Sequence, residues 1–438
     1  MKNHIAKTIS AVLMTTFLLT TAACTSSGGS NGTDGTAGNT SEAAGNTAIV
    51  SYKATLTAQE ISAFPDAFVS GLNQYGWTVA SQLYDGQNLA ISPASLELAI
   101  LMARTGAVGQ TADEMKTALS MSALSNEEIL SASRQLMWRT NTNGMEAANS
   151  LWMQKDYTFS EDFINTCMEK FMADAFSVDF LTDAAGATDA INTWASDKTH
   201  GKIPEMNPEP LASDTRLVLI NALYFLGDWE NPFTAEDTYD QTFRGTKEEA
   251  DVSFMHSEEN MLYAETSDYQ MISLPFKGAE GAADSPYSMA FILPAEGQDI
   301  TAVMDGLAAN GFTAAAADLT EAKVQLALPK FEFTFDASMK KTMQALGMTL
   351  AFDASHAAFD GMTGSDNDLY ISEILHKCYI RVDEKGAEAA AVTEVIMATT
   401  AMPVAEDMKT FTADRPFLFA IYDETDNSVL FLGVVGQI

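Results

Sequence analysis

A chain of 438 residues, 47% apolar and 19% charged, is long enough for one large domain or two ordinary ones and can bury a sizeable core. Its 12 Pro and 27 Gly exclude a disordered or fibrous composition. A formal net charge of −35 argues against nucleic acid and anionic membrane surfaces as partners, because a polyanion repels both. The plain consequence of such acidity is solubility outside the cell.

The first 23 residues have the layout of a signal peptide. Lys2, His4 and Lys7 make a basic start, and Ile9 to Leu19 is apolar apart from small hydroxyl residues. Thr21-Ala22-Ala23-Cys24 then sets small residues before a cysteine, and the apolar run is too short to span a bilayer permanently. This resembles a bacterial lipoprotein signal, in which Cys24 becomes the lipidated N-terminus of a cell-surface protein. Thr21 stands where that pattern prefers Leu, and the alternative is an ordinary cleaved signal with Cys24 unlipidated. Residues 24–50 are mostly Gly, Ser, Thr, Asn and Ala, which reads as a flexible tether. From 51 to 438 the texture stays globular, without an internal repeat or a second low-complexity break, so a single domain is expected.

Within that domain, Pro65 to Tyr84 carries Phe68, Leu72, Val79 and Leu83 at helical spacing. Ser95 to Ala103 reads as a buried helix with Ser95 as N-cap, and residues 111–137 and 146–172 read as further helices. The apolar run Val218 to Phe225 is expected to be a central strand covered on both faces. Val324 to Leu328 alternates, and Leu418 to Tyr422 with Val429 to Val434 forms a hairpin around Thr425-Asp426-Asn427. Helices followed by strands predict an α+β fold with large mixed sheets. Cys167 and Cys378 are expected to be buried free thiols, with one bridge between them as the alternative.

Catalytic signatures are missing. HExxH, GxSxG and CxxC do not occur, and His200, His256, His356 and His376 read as structural. A surface hydrolase or solute-binding lipoprotein is permitted by the tether but supported by no motif. Neither a cofactor nor a metal is expected, and the chain reads as a monomer rather than an enzyme.

The informative segment is Glu384-Lys385-Gly386-Ala387-Glu388-Ala389-Ala390-Ala391-Val392-Thr393, continuing to Met402-Pro403. Its alanines favour a helix. The β-branched residues from Val392 oppose one, and a two-residue period fits as well: Ala387, Ala389, Ala391, Thr393, Val395 and Met397 share one face, all small or apolar. This segment resembles the hinge of the serpins, a family whose loop inserts into its own sheet. Asn88 to Ser95, Ile191 to Trp194 with Thr199 to Ile203, Asn221 to Trp229, Ile371 to Lys377, and Arg415 to Phe419 with Phe431 to Gly433 resemble further serpin signatures, in the family's order.

The resemblance implies a serpin fold with about nine helices and an exposed reactive loop at about 385–412. It implies a suicide-substrate inhibitor of serine-type endopeptidases; a non-inhibitory serpin acting as a binding module is the alternative. The target's serine would form an acyl-enzyme with the loop. About fifteen freed residues at roughly 3.3 Å each would then carry the protease some ~50 Å as a new strand forms, wrecking its oxyanion hole. Counting Glu384 as the first residue, the seventeenth is Thr400, which puts the scissile bond at Thr400–Ala401. Thr399–Thr400 and Ala401–Met402 stay open as neighbours. Glu384, Gly386, Ala387, Ala389, Ala390, Ala391 and Thr393 take the hinge role, with Gly386 supplying backbone freedom. Ser92, Ser95, Asn221 and His376 match the polar cluster beneath the main sheet, and Trp229 the loop's entry point. Thr, Ala and Met around the bond suit elastase-like or subtilisin-like proteases, and the absence of Lys or Arg between Lys385 and Lys409 disfavours trypsin-like ones.

Overall fold

The computed structural model describes residues 39–41, 49–52, 63–142, 145–225, 227–278, 285–364, 369–387 and 408–438. Cys24, Ala389, Ala390, Ala391, Thr393 and the bond Thr400–Ala401 lie outside the described residues. Two short strands overlap the stretch read as a tether, β1 (Asn39–Ser41) and β2 (Ile49–Tyr52), paired with each other.

The amphipathic stretch after Pro65 forms α1 (Asp66–Leu83), followed by β3 (Leu89–Ile91) and α2 (Pro93–Thr105). The N-cap of α2 is Ser92 rather than Ser95: its hydroxyl oxygen accepts the Ser95 N–H at 3.0 Å. Pro93 sits at the first helical position, where its missing N–H costs nothing. Next come α3 (Gly109–Ala118), α4 (Asn126–Thr142), β4 (Met145–Gln154), α5 (Glu161–Phe171), β5 (Ala173–Val178) and α6 (Ala184–Lys198). The helix expected over 146–172 is thus corrected to a strand and a shorter helix. Leu151 and Met153 enter one hydrophobic cluster and Trp152 the other, so β4 is buried on both faces and tertiary pairing overrides local propensity.

The chain continues through β6 (Leu217–Phe225), β7 (Gly227–Asp228), β8 (Thr238–Arg244), β9 (Glu249–Glu265), β10 (Tyr269–Pro275) and β11 (Tyr287–Pro294). Helices α7 (Ile300–Asn310) and α8 (Phe312–Ala317) precede β12 (Thr320–Pro329) and β13 (Phe331–Ser338). Then α9 (Lys340–Ala345) and α10 (Asp360–Thr363) lead to β14 (Leu375–Val382) and β15 (Gly386–Ala387). The C-terminus is β16 (Lys409–Thr412), β17 (Phe417–Asp423) and β18 (Ser428–Val435). The described residues hold ten α-helices, one more than the expected nine.

A nine-stranded sheet runs β16-β12-β9-β10-β11-β17-β18-β3, with β8 also on β9. Its last hairpin is the one expected from sequence, turning at Asn427 with φ 61°. Every residue of β17 and β18 is buried. Each large apolar side chain there is worth about 1.5–3 kcal/mol.

The second system matters more for function. Strands β1-β2-β5-β4-β6 form one sheet, and β13-β14 form a separate pair. β6 has the expected cover on both faces: Leu219 and Leu223 point to the main core with α2, while Ile220 and Ala222 join Ile191 and Trp194 of α6. The expectation that β6 is central is corrected, because it pairs with β4 alone and ends its sheet. An apolar run covered on both faces looks central in sequence whether or not its edge is filled.

Candidate functional site

Among the described residues, neither β6 nor β14 has a second strand partner. Two elements tie these open edges to one another. Beneath, α2 packs on β6, and the backbone N–H of its cap Ser92 donates to His376 Nε2 on β14 at 3.1 Å. Above, the segment after α6 touches both banks. His200 Nε2 lies 3.1 Å from Glu146 Oε2 of β4, with its ring 4.9 Å from that of Tyr224 on β6. Lys202 Nζ sits 5.1 Å from the ring centroid of Tyr379 on β14, and Lys377 Nζ donates to the Glu205 carbonyl at 2.8 Å. Asn192 of α6 fixes this strap by accepting the Met206 and Asn207 N–H groups at 2.9 and 3.0 Å.

At one end of the gap, β14 runs into the predicted hinge. The Trp229 indole N–H donates to the Asp383 carbonyl at 3.0 Å, and its backbone N–H to the Lys385 carbonyl. Trp229 is fully buried and stacks on Phe276 at 4.8 Å. Glu384 pairs with Lys330 at 2.8 Å; burial pushes its carboxyl up, but the hydrogen bonds from Lys330, its own backbone N–H and Thr238, together with the Lys330 charge, hold it below its ordinary value. Gly386 and Ala387 then pair antiparallel with Asp228 and Gly227. A Cβ on Gly386 would stand 1.9 Å from the Gly227 carbonyl oxygen. The glycine is therefore required by close approach, and its φ is not positive in this state. Ala387 is 3% exposed, buried within this two-residue ladder.

The polar cluster lies beneath the gap. The Ser92 hydroxyl donates to the Leu430 carbonyl at 2.8 Å while its oxygen caps α2 through the Ser95 N–H. His376 Nε2, which accepts from Ser92, also lies 3.1 Å from Cys378 Sγ. An Nε2 that accepts a backbone N–H is unprotonated, so the ring's proton is on Nδ1. Asn221 stands on the other bank: its amide donates to Asn149 Oδ1 at 2.7 Å, and its own Oδ1 is buried without a partner. The structure thus brings Ser92, Ser95 and His376 together, leaves Asn221 unbonded to them, and sets Trp229 with the hinge. Cys378 and Asn149 were missed from sequence, although Cys378, two residues from His376 on one strand, must share its face.

The Cys378–His376 contact has the outline of a nucleophilic pair but the opposite electrostatics. Burial pushes the thiol up and the imidazole down to about 3, so neither ionises at neutral pH. Both Cys167 and Cys378 are free and buried, and no metal-binding cluster occurs among the described residues.

The His376 environment predicts an acid sensitivity. A histidine held below its ordinary ~6.5 gives its full stability above that pH and loses it as pH falls toward 3, at about 1.4 kcal/mol per unit. The wild-type thermal midpoint should fall more steeply across that window than that of a His376→Gln variant. Parallel profiles would refute it.

Residues 70–438 match the family model described as serpin (serine protease inhibitor). An uncharacterized serpin-like protein of Thermococcus kodakarensis is 32% identical over 83% of this chain and 84% of its own length. The leukocyte elastase inhibitor of Xenopus tropicalis is 34% identical over 79% of this chain and 92% of its own. The thermophilic serpin tengpin in its native state superimposes with a TM-score of 0.79 at 30% identity, covering 88% of this chain and 98% of its own. In its latent state the score is 0.73 at 29% identity, over 86% and 99%. With the motifs in order along nearly the whole domain and its sheet split at the hinge, the chain belongs to the serpin family.

Proposed function

We propose that this serpin inhibits serine-type endopeptidases as a suicide substrate, cleaved in the loop that follows Ala387. The observation that carries this reading is the pair of unpartnered edges on β6 and β14, with the loop rooted at the end of β14. Both edges present ladder groups that a new strand would satisfy. The segment after the root carries small residues on its inward face, and β16 anchors its far end on β12. Cleavage at Thr400–Ala401 would leave Ala389, Ala390, Ala391 and Thr393 within the inserting strand. Thr, Ala and Met around that bond favour elastase-like or subtilisin-like targets, in keeping with a relative that is a leukocyte elastase inhibitor. The test is to mix the protein with pancreatic elastase or subtilisin and run a denaturing gel. A covalent band at the summed mass supports inhibition, whereas cleavage without a complex indicates a non-inhibitory binding module.

The amino-terminal segment supports attachment to the cell surface through lipidated Cys24. Cys24→Ser should release the protein from the membrane fraction into the medium. A variant that stays membrane-bound would exclude this anchor.

A further inference from the structure

Helix α2 backs β6 and reaches β14 through Ser92, so whatever loosens it loosens both banks of the gap. Inside it lies a group that loop insertion does not use. Glu97 is 0% exposed, and neither carboxyl oxygen has a hydrogen-bond partner. Its helix neighbours Leu96, Leu98 and Leu101 are buried apolar residues. A carboxylate without a donor or cation in such a place is far costlier than the neutral acid.

The groups around it supply no compensation. From α1, Tyr75 is buried and turns its hydroxyl to Met343 Sδ at 3.6 Å; burial and then Glu97 push that hydroxyl up. From α5, Cys167 lies against Thr105, and from α3, Asp113 acts on Arg104, both at the C-terminal end of α2. On β6, Tyr224 meets His200 above the gap. β18 has no titratable side chain, and β14 contributes the neutral His376 at the N-cap. Burial alone pushes the Glu97 carboxyl well above the ordinary carboxylate range.

The geometry points to Glu97 as a proton latch: while the acid holds its proton, α2 stays packed and β6 and β14 keep their spacing. When the proton passes to bulk water, α2 loosens to hydrate the carboxylate, and β6 and β14 part. The closed fold binds this proton more tightly than the opened chain, whose glutamate titrates near ~4.3. Its stability therefore falls as pH rises from that value through Glu97's own. This effect runs opposite to that of His376, so it is read as a difference between proteins at one pH.

The experiment follows loss of the native state at a fixed elevated temperature by tryptophan fluorescence, for wild type and E97Q, between about pH 5 and about pH 9. The wild-type rate relative to E97Q should rise about tenfold or more across that range. An equal pH dependence of the two proteins overturns the latch. E97L replaces E97Q should the latter fail to fold, with the same expectation. As a separate measure, the infrared difference spectrum of wild type minus variant at neutral pH should contain a protonated-carboxyl stretch, and its absence also overturns the proposal. No protease enters these readings, so failure of covalent trapping would count against the proposed inhibition and not against the latch.

Discussion

Replacing Ala389 by arginine should turn the inhibitor into a substrate, with cleavage as fast as before and the gel-stable complex reduced about tenfold or more. Ala387 is already buried in its ladder with Gly227, which fixes the face from which a two-residue period proceeds. That period would put Ala389 next on the same face. Trapping is a race between insertion and hydrolysis, and each ~1.4 kcal/mol added to the insertion barrier slows it tenfold. Burying an unpaired guanidinium costs several times that. Glu388→Arg changes the outward face and should leave complex formation intact, so the pair controls for charge. The check is the stoichiometry of inhibition beside the denaturing gel. Full trapping by Ala389→Arg would mean that this face does not enter the sheet. Ala387→Arg is the less informative variant, since the side chain would damage the uncut fold at the root itself.

The second expected result is that the molecule clipped in its loop melts more than about 10 °C above the intact one. β6 and β14 each offer one unpaired ladder edge, and a strand placed between them satisfies both. Each added ladder bond is worth about 0.5–1.5 kcal/mol net, and apolar burial of Val395 and Met397 adds to it. Residues on either side of that segment are paired, at β15 and at β16, and cleavage between them would free its amino-terminal part to supply that strand. Differential scanning calorimetry of the two forms decides the matter. Equal midpoints would mean that the uncut fold stores nothing, and the inhibitory reading would fall with it.

Much of this molecule was legible before its structure. Periodicity located α1 and the β17–β18 hairpin, because those segments bury one stripe or alternate residues and local pattern suffices. The hinge reading rests on a run of small residues at a two-residue period together with the serpin resemblance, and of its residues Glu384, Gly386 and Ala387 fall among the described ones. Ser92, Ser95 and His376 were found as a group only through resemblance, since they lie far apart in the chain and no spacing rule joins them.

What the tertiary structure alone decided has one common cause: partners distant in sequence. β4 reads as helix until β5 and β6 flank it, and β6 reads as central until its empty edge is seen. That Gly386 has no room for a Cβ is seen only once the Gly227 carbonyl is placed against it. Glu97 is one acid among many in sequence, and only the packing of helices around it removes every solvent contact and every hydrogen-bond partner. Amino-acid pattern determines what a segment can bury, whereas the edges left open and the charges left alone depend on which other segments arrive.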